Sequence, residues 1–292
     1  MARRWSFQER ARNIHRFVIR FPKVGDEFLA LLQSDAHWDN PQCDRETFTR
    51  HLNEARAKDA PILDNGDFFC AMQGKWDKRA NKRDLRPEHQ RAQYLDSLVD
   101  TAVAAWQPYK DLLTVRGMGN HEASILKHHE TNLTERFVER MRSAGAKSVA
   151  LGGYSGYVVF TCLVGTQEKP IKLHYHHGFG GGGAVTRGVI QTNRQAVYLA
   201  DADLVWTGHT HDAWQVPIAR VRLNATLTAV EHTRQLHIRT AGYKEEYGDG
   251  YGGWHIERGS APKPVGAAWL RIRYLKADRG TAVFDWDVIE AR

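Results

Sequence analysis

The chain has 292 residues, 42% of them hydrophobic and 26% charged, with a formal net charge of +7. It is long enough for one large domain with a sizeable core. No apolar run approaches the ~20 residues of a membrane-spanning helix, the basic stretch Met1–Arg10 lacks the apolar core of a secretory signal, and Cys43, Cys70 and Cys162 form no C-x-x-C pair. That speaks against a cysteine zinc site and points to reduced thiols in a cytoplasmic setting.

Residues 1–27 are basic and irregular and read as an N-terminal arm or a first edge element. Phe28–Gln33 reads as a buried strand ending at Ser34-Asp35. Asp44 is placed to cap a helix running to about Lys58, with Phe48, Leu52 and Ala55 on one face. Pro61–Asp64 is a second strand, ending in Asn65-Gly66-Asp67. The segment Gly74–Arg86 reads as an insertion loop, with Trp76 among Lys75, Lys78, Arg79, Lys82, Arg83 and Arg86. That pattern suits base stacking or a solvated helix face equally. Pro87 opens a long helix bearing Tyr94, Leu95, Leu98, Val99, Ala102 and Trp106. Leu112–Val115 is a third strand, and helical patterns follow Gly119-Asn120-His121 to about Arg142.

Further on, Tyr157–Leu163 and Ile171–His176 read as neighbouring strands joined by a turn. The glycine run 180–183 and a helical segment over Arg187–Ala200 precede a short strand, Leu204–Trp206. Val216–Leu223, Leu236–Thr240, Ala267–Tyr274 and Thr281–Ile289 read as strands, interrupted by the loop Tyr247–Trp254. No repeat or linker divides the chain, so residues 1–292 read as a single domain.

The informative pattern is positional. Asp35-x-His37, Gly66-Asp67, Gly119-Asn120-His121-Glu122, His177-Gly178 and Gly208-His209-x-His211 each follow an apolar strand-like run. In layered α/β architectures sites gather outside the carboxyl ends of strands, so five polar loops can meet at one rim. In an extended loop the rings of His209 and His211 point to opposite sides, which suits one ligand to each of two adjacent metals. Histidine and carboxylate serve manganese, iron and zinc alike. Each piece alone reads as an ordinary turn; the ordered set is hard to obtain by accident.

From about Phe28 to Asp212 these motifs resemble the calcineurin-like metallophosphoesterases, and the overall look resembles members encoded by bacteriophages and prophages. The resemblance implies a four-layer α/β/β/α sandwich, two mixed β-sheets flanked by helices, with residues 213–292 completing the second sheet. It implies two divalent metal ions, Mn2+ foremost and Fe, Zn or Ni as alternatives. Asp35, His37 and His211 are implied as ligands of the first, Asp67 as the bridging carboxylate, and Asn120, His177 and His209 as ligands of the second. His176 is the alternative to His177, with His174 close by. Asp67 and His121 carry the chemistry, His121 contacting the scissile phosphate and protonating the leaving oxygen while a metal-bridging hydroxide attacks in line. Cys70 either lines the site or is a buried structural thiol.

Asn120, His121 and Arg187 are the expected substrate contacts; the glycine run beside Arg187 is either a phosphate cradle or a loop needing no ligand. Tyr247, Tyr251, Trp254 and His255 either wall the pocket or pack the sheet edge. The net charge and aromatics favour a phosphodiesterase acting on nucleic acid or a nucleotide, nucleases included. The alternatives are a phosphomonoesterase or protein phosphatase, a metal-stabilised nucleic-acid-binding module without turnover, and a single-zinc hydrolase.

Overall fold

The computed structural model describes residues 3–74, 77–78, 80–81, 85–181, 183, 185–224, 226–252, 254–278 and 280–291. Lys75, Trp76, Arg79, Lys82 and Arg83 of the charged segment, and Gly182 and Gly253, lie outside the described residues.

In chain order the first half runs β1 (Trp5–Ala11), β2 (Ile14–Arg20), β3 (Glu27–Gln33), α1 (Arg45–Ala57), β4 (Ile62–Asp64), α2 (Tyr94–Trp106), β5 (Leu113–Arg116), α3 (Asn120–His129), α4 (Leu133–Ser143) and β6 (Ala150–Leu151). The second half runs β7 (Ser155–Val164), β8 (Gln167–His176), α5 (Ile190–Tyr198), β9 (Leu204–Thr207), β10 (Trp214–Leu223), β11 (Val230–Arg239), the single turn α6 (Trp254–Glu257), β12 (Ala268–Asp278) and β13 (Thr281–Glu290). Among the described residues the strands form two mixed sheets, ordered β1-β2-β7-β8-β9-β11-β10 and β13-β12-β3-β4-β5-β6. Within them β3, β4 and β5 are parallel neighbours, as are β8, β9 and β11.

The sheets face each other across one apolar layer. Phe17 on β2, Phe28 on β3 and Phe160 on β7 meet there, with ring centroids 5.1 to 6.3 Å apart. Helices α1, α2 and α4 cover the other face of the six-stranded sheet, where Phe48, Trp106 and Phe137 close around Phe68. Leu199 and Ala202, just after α5, pack on Val205 and Tyr157 of the seven-stranded sheet. Because strand side chains alternate, Leu204 and Trp206 join the central layer while Val205 between them joins the outer one. The architecture is therefore a four-layer α/β/β/α sandwich. No helix among the described residues is long and apolar enough to cross a membrane.

Three local expectations need correction. Of the two readings of residues 1–27, the arm is not found over residues 5–20 and the edge element is: β1 and β2 form an antiparallel hairpin with β1 at the edge of the seven-stranded sheet, and β2 pairs in parallel with β7. The period-2 burial of His15, Phe17 and Ile19 drives this; with Arg16 and Val18 between them and Ile14 on the open face, the alternation is not plain in the sequence. Residues 213–292 do not complete one sheet. β10 and β11 extend the seven-stranded sheet, whereas β12 and β13 extend the six-stranded one through β3. Pro87 opens only a 3-10 turn, Pro87–His89, and α2 begins at Tyr94. Residues 87–93 offer no apolar stripe to bury, so the helix starts where the 3.6-residue pattern does.

Candidate metal centre

Asp35 and His37 follow β3, Asp67 follows β4, Asn120 and His121 open α3 just after β5, His177 follows β8, and His209 and His211 follow β9. The carboxyl ends of these strands share one rim. The loops turn back sharply there. Asp35, His37, Asp67, His209 and His211 have φ of +53°, +48°, +49°, +77° and +56°. For a residue with a Cβ that conformation costs about 1–2 kcal/mol, and it persists only where the surroundings over-determine it. Glycines allow the close packing that does so. A Cβ on Gly119 would lie 2.0 Å from Asp67 Oδ1, and one on Gly208 would lie 2.5 Å from Asp35 Oδ2.

The side chains gather into overlapping groups. Asp35, His37 and His211 offer donor atoms within 4.8 Å of one another, and so do Asp67, His177 and His209. In the first group His37 Nε2 is 3.1 Å from His211 Nε2, which lies 3.6 Å from Asp35 Oδ1. In the second, His177 Nε2 is 3.1 Å from Asp67 Oδ2 and 3.2 Å from Asn120 Oδ1. His177 Nε2 is also 3.9 Å from Asp35 Oδ1, which joins the two groups. His37, Cys70 and His121 form a third group that shares His37 with the first.

Hydrogen bonds decide which ring nitrogens are free. His177 Nδ1 lies 2.8 Å from the Asn65 carbonyl. A carbonyl only accepts, so Nδ1 carries a proton, and Nε2 is the nitrogen turned to Asp67 and Asn120. Burial opposes a charge on His177, yet Asp67 and Asp35 overcome it and raise its pKa to about 10. Asp67 is the counterpart: burial pushes its carboxyl up, but His177, His121 and His37 hold it well below the usual range. Burial raises Asp35 to about 7 against the pull of His177. Burial also lowers His37 strongly and His211 to about 3, keeping both rings neutral. Nδ1 of His37 and of His209 is buried with no hydrogen-bond partner among the described residues. Two carboxylates with the neutral rings of His37 and His211, and with His177, whose Nε2 proton a cation would displace, are the donor set of a borderline divalent cation, and the residues fit such a group.

The three neighbouring histidines of β8 separate clearly. His177 is fully buried in the cluster. His176 Nδ1 instead accepts from the Gly178 N–H at 2.9 Å, and His174 bonds Ser155 and packs on Tyr157. His121 donates its backbone N–H to Asp67 Oδ1 at 2.9 Å, and its Nδ1 lies 2.6 Å from the Cys70 carbonyl. Arg187 is exposed. It meets its neighbours through its backbone carbonyl, which accepts from Trp214 Nε1 and Arg239 Nη1. The sheet-edge packing expected of Tyr247 and Tyr251 is not found, since Tyr251 is 96% and Tyr247 37% exposed. The basic groups are largely engaged: Arg3 pairs with Asp59, Arg4 with Asp26 and Arg16 with Glu168. Arg220 and Arg222 donate to the Ala200 carbonyl just past α5, where a helix end favours cations.

Four residues beyond the expected ligands and substrate contacts shape the site. Glu122, buried at the start of α3, accepts from the backbone N–H of Asp67, Phe69 and Gly119. Its sequence signal is the capping-box spacing from Gly119. Asp39 accepts from the N–H of Cys70 and Ala71. Arg239, on the last residue of β11, is buried and donates to Thr210 and Thr207 beside His209. Lys244 pairs with Glu246, which also pairs with His255; its charge helps keep His37 and His211 neutral. Nothing in the local sequence marks the last three.

No family model matches the sequence, and no curated protein matches it. Solved structures do. Vacuolar Protein Sorting 29 from Cryptosporidium parvum is 14% identical, over 91% of this chain and 99% of that one, with a TM-score of 0.37. A conserved uncharacterized protein and predicted phosphoesterase from Streptococcus pneumoniae is 11% identical, over 91% of this chain and 90% of that one, at 0.33. Vps29 complexed with zinc from Entamoeba histolytica is 11% identical, over 90% of this chain and 99% of that one, at 0.33.

Proposed function

We propose that this protein is a dinuclear metal-dependent phosphoesterase, acting on a phosphodiester in nucleic acid or a nucleotide. The observation that carries the reading is the convergence of donors from four loops into two adjacent groups, each with a carboxylate and two histidines, with Asn120 of a fifth loop 3.2 Å from His177. Asp35, His37 and His211 would hold one divalent ion and His177, His209 and Asn120 the other, with Asp67, 3.1 Å from His177, as the carboxylate shared between them. Manganese is the first candidate, with iron, zinc and nickel suited by the same donors. Bound there, the ions supply Lewis acidity and ready deprotonation of water.

The chain's own groups do the rest. The Asn65 carbonyl keeps His177 Nε2 directed inward. Glu122 fixes the loops of Asp67 and Gly119 against each other. His121, 14% exposed, reaches the open side of the cluster. Its Nε2 proton passes to the ester oxygen as the P–O bond breaks, the electron pair leaving with that oxygen. The exposed Tyr247 and Tyr251, and the resemblance to phage-encoded members, favour a nucleotide-bearing substrate over a simple monoester.

The test uses metal-stripped protein reloaded with manganese, a bis-aryl diester beside an aryl monoester, and Asp67→Asn in parallel, with metal content measured throughout. Two ions per chain and diester cleavage lost in Asp67→Asn are expected. Cleavage of the monoester alone makes the protein a phosphatase. A single bound ion refutes the dinuclear reading, and two ions with no cleavage of either ester refute the enzymatic one in favour of a binding module.

A further inference from the structure

His121 is held from behind by an unusual partner. Its Nδ1 sits 2.6 Å from the backbone carbonyl of Cys70. The carbonyl cannot donate, so the proton is on Nδ1 and Nε2 is the atom left for chemistry. The same peptide unit ends in the N–H of Ala71, and that N–H donates to Asp39 Oδ2 at 2.9 Å. The other oxygen, Asp39 Oδ1, takes the Cys70 N–H at 2.6 Å. A carboxylate at one end of a peptide and an imidazole at the other thus share one polarisable group. Negative charge at the N–H end strengthens the carbonyl as an acceptor, because hydrogen bonds in series polarise one another.

Asp39 is well placed for this and for little else. It is 1% exposed, and it belongs to none of the three metal-ligating groups although it lies two residues past His37. The Tyr94 hydroxyl donates to its Oδ2 at 2.9 Å, bracing the carboxylate from α2. Ala71 has a φ of +52°, a conformation that costs a residue with a Cβ about 1–2 kcal/mol. The turn therefore needs an external hold, and Asp39 supplies two hydrogen bonds to it.

We propose that Asp39, braced by Tyr94, is a positioning residue that fixes the tautomer and direction of His121 through the Cys70–Ala71 peptide. The arrangement does the work of an acid behind a catalytic histidine, with one peptide group inserted between them. The acid is the imidazolium, with a proton on each ring nitrogen: as Nε2 gives its proton to the leaving oxygen the ring becomes neutral, Nδ1–H stays on the Cys70 carbonyl, and Nε2 regains a proton from water before the next turnover. The inference rests on the general-acid role of His121 proposed above.

The experiment has two independent readouts. First, the imidazole 15N spectrum of metal-free protein is recorded with His121 assigned from its loss in His121→Ala. A single Nδ1–H tautomer is expected in the native protein, and a mixture of both tautomers in Asp39→Asn. Second, manganese-loaded protein is tested on diesters with aryl and with alkyl leaving groups. General acid catalysis is worth about 10²–10⁴ in rate, and the alkyl leaving group depends on it most. Asp39→Asn is expected to slow the alkyl diester about tenfold and the aryl diester under about threefold, with metal content unchanged. Tyr94→Phe, which removes one hydroxyl, is expected to move both readouts the same way by less.

An unchanged His121 tautomer in Asp39→Asn overturns the proposal, as does an equal loss on both diesters. If Asp39→Asn does not fold, Tyr94→Phe decides by the same two criteria. Should His121→Ala itself leave the aryl-to-alkyl ratio untouched, the general-acid role is wrong, and the 15N spectrum still decides whether Asp39 holds the ring.

Discussion

Arg116 is the side chain whose loss should be felt most across the fold. It is 1% exposed and lies beneath the metal centre, its Nη1 2.9 Å from Asp64 Oδ2. Its guanidinium carbon sits 4.1 Å from the Phe68 ring centroid, 4.5 Å from that of Phe137 and 4.8 Å from that of Trp106. Burial weakens its hold on its proton, and Asp64 and then Glu122 offset that. Asp64 also accepts from Gln33 Nε2 and from the Gly66 N–H, so it anchors the turn that carries Asp67. Asp64→Asn keeps the shape and removes the charge, leaving a cation among aromatic faces without its ion-pair partner. Breaking a buried pair in this way costs about 3–5 kcal/mol. With an unfolding entropy of about 2.1 cal/mol/K per residue over 292 residues, that corresponds to a fall in Tm of about 5–8 °C. Replacing both partners, Asp64→Asn with Arg116→Met, removes the orphaned charge and should recover at least about 1 kcal/mol. Urea unfolding of native protein, both single variants and the double gives the cycle. A cost under about 1 kcal/mol for Asp64→Asn, or a double variant as unstable as the sum of the singles, would refute the reasoning.

Four further outcomes follow from the geometry. His177→Ala should abolish binding of one manganese ion by calorimetry while His176→Ala leaves stoichiometry intact, because only His177 Nε2 faces Asp67 and Asn120; equal losses would reopen the choice. Gly119→Ala should displace Asp67, whose Oδ1 lies 2.0 Å from the added methyl position, and weaken metal binding more than tenfold by the same measurement; binding within a factor of about two of native would show that the loop yields at little cost. Stability should fall as pH drops from about 6.5 towards 4. Burial lowers His15, His51, His174 and His237 to about 4, so between those values the unfolded chain binds more protons than the folded one and protonation favours unfolding. Urea midpoints that stay flat over that window would show that these rings are reached by water. Asp44→Ala removes the carboxylate that accepts from the Thr47 N–H at 2.9 Å and should cost about 1 kcal/mol in the same assay.

The sequence by itself determined which loops carry the candidate donors; the sandwich followed from the resemblance, and the sheet order from the tertiary structure. Short apolar runs ending in Asp35, Asp67, Asn120, His177 and His209 are local features, and a strand end is followed by its loop whatever the tertiary context. Strands β3, β4, β5, β7, β8 and β9 and the capped helix α1 were legible for the same reason. What only the tertiary structure decided depends on directions in space. His174, His176 and His177 are equivalent as letters; the Asn65 carbonyl, 112 residues away in the chain, selects which ring faces the carboxylates. The left-handed backbone of Asp35, His37, Asp67, His209 and His211 is imposed by neighbouring loops, since none of these residue types demands it. Arg239, Lys244 and Asp39 reach the site from strands and turns with no motif of their own. The hairpin of residues 5–20 was hidden because the buried positions of β2 alternate with Ile14 and Val18 as well as with Arg16 and Arg20, and only pairing with β7 gives that alternation an inside. Local pattern sets which segments turn towards the rim; long-range packing sets which atoms arrive there, because burial and hydrogen bonding are properties of pairs that the chain order does not display.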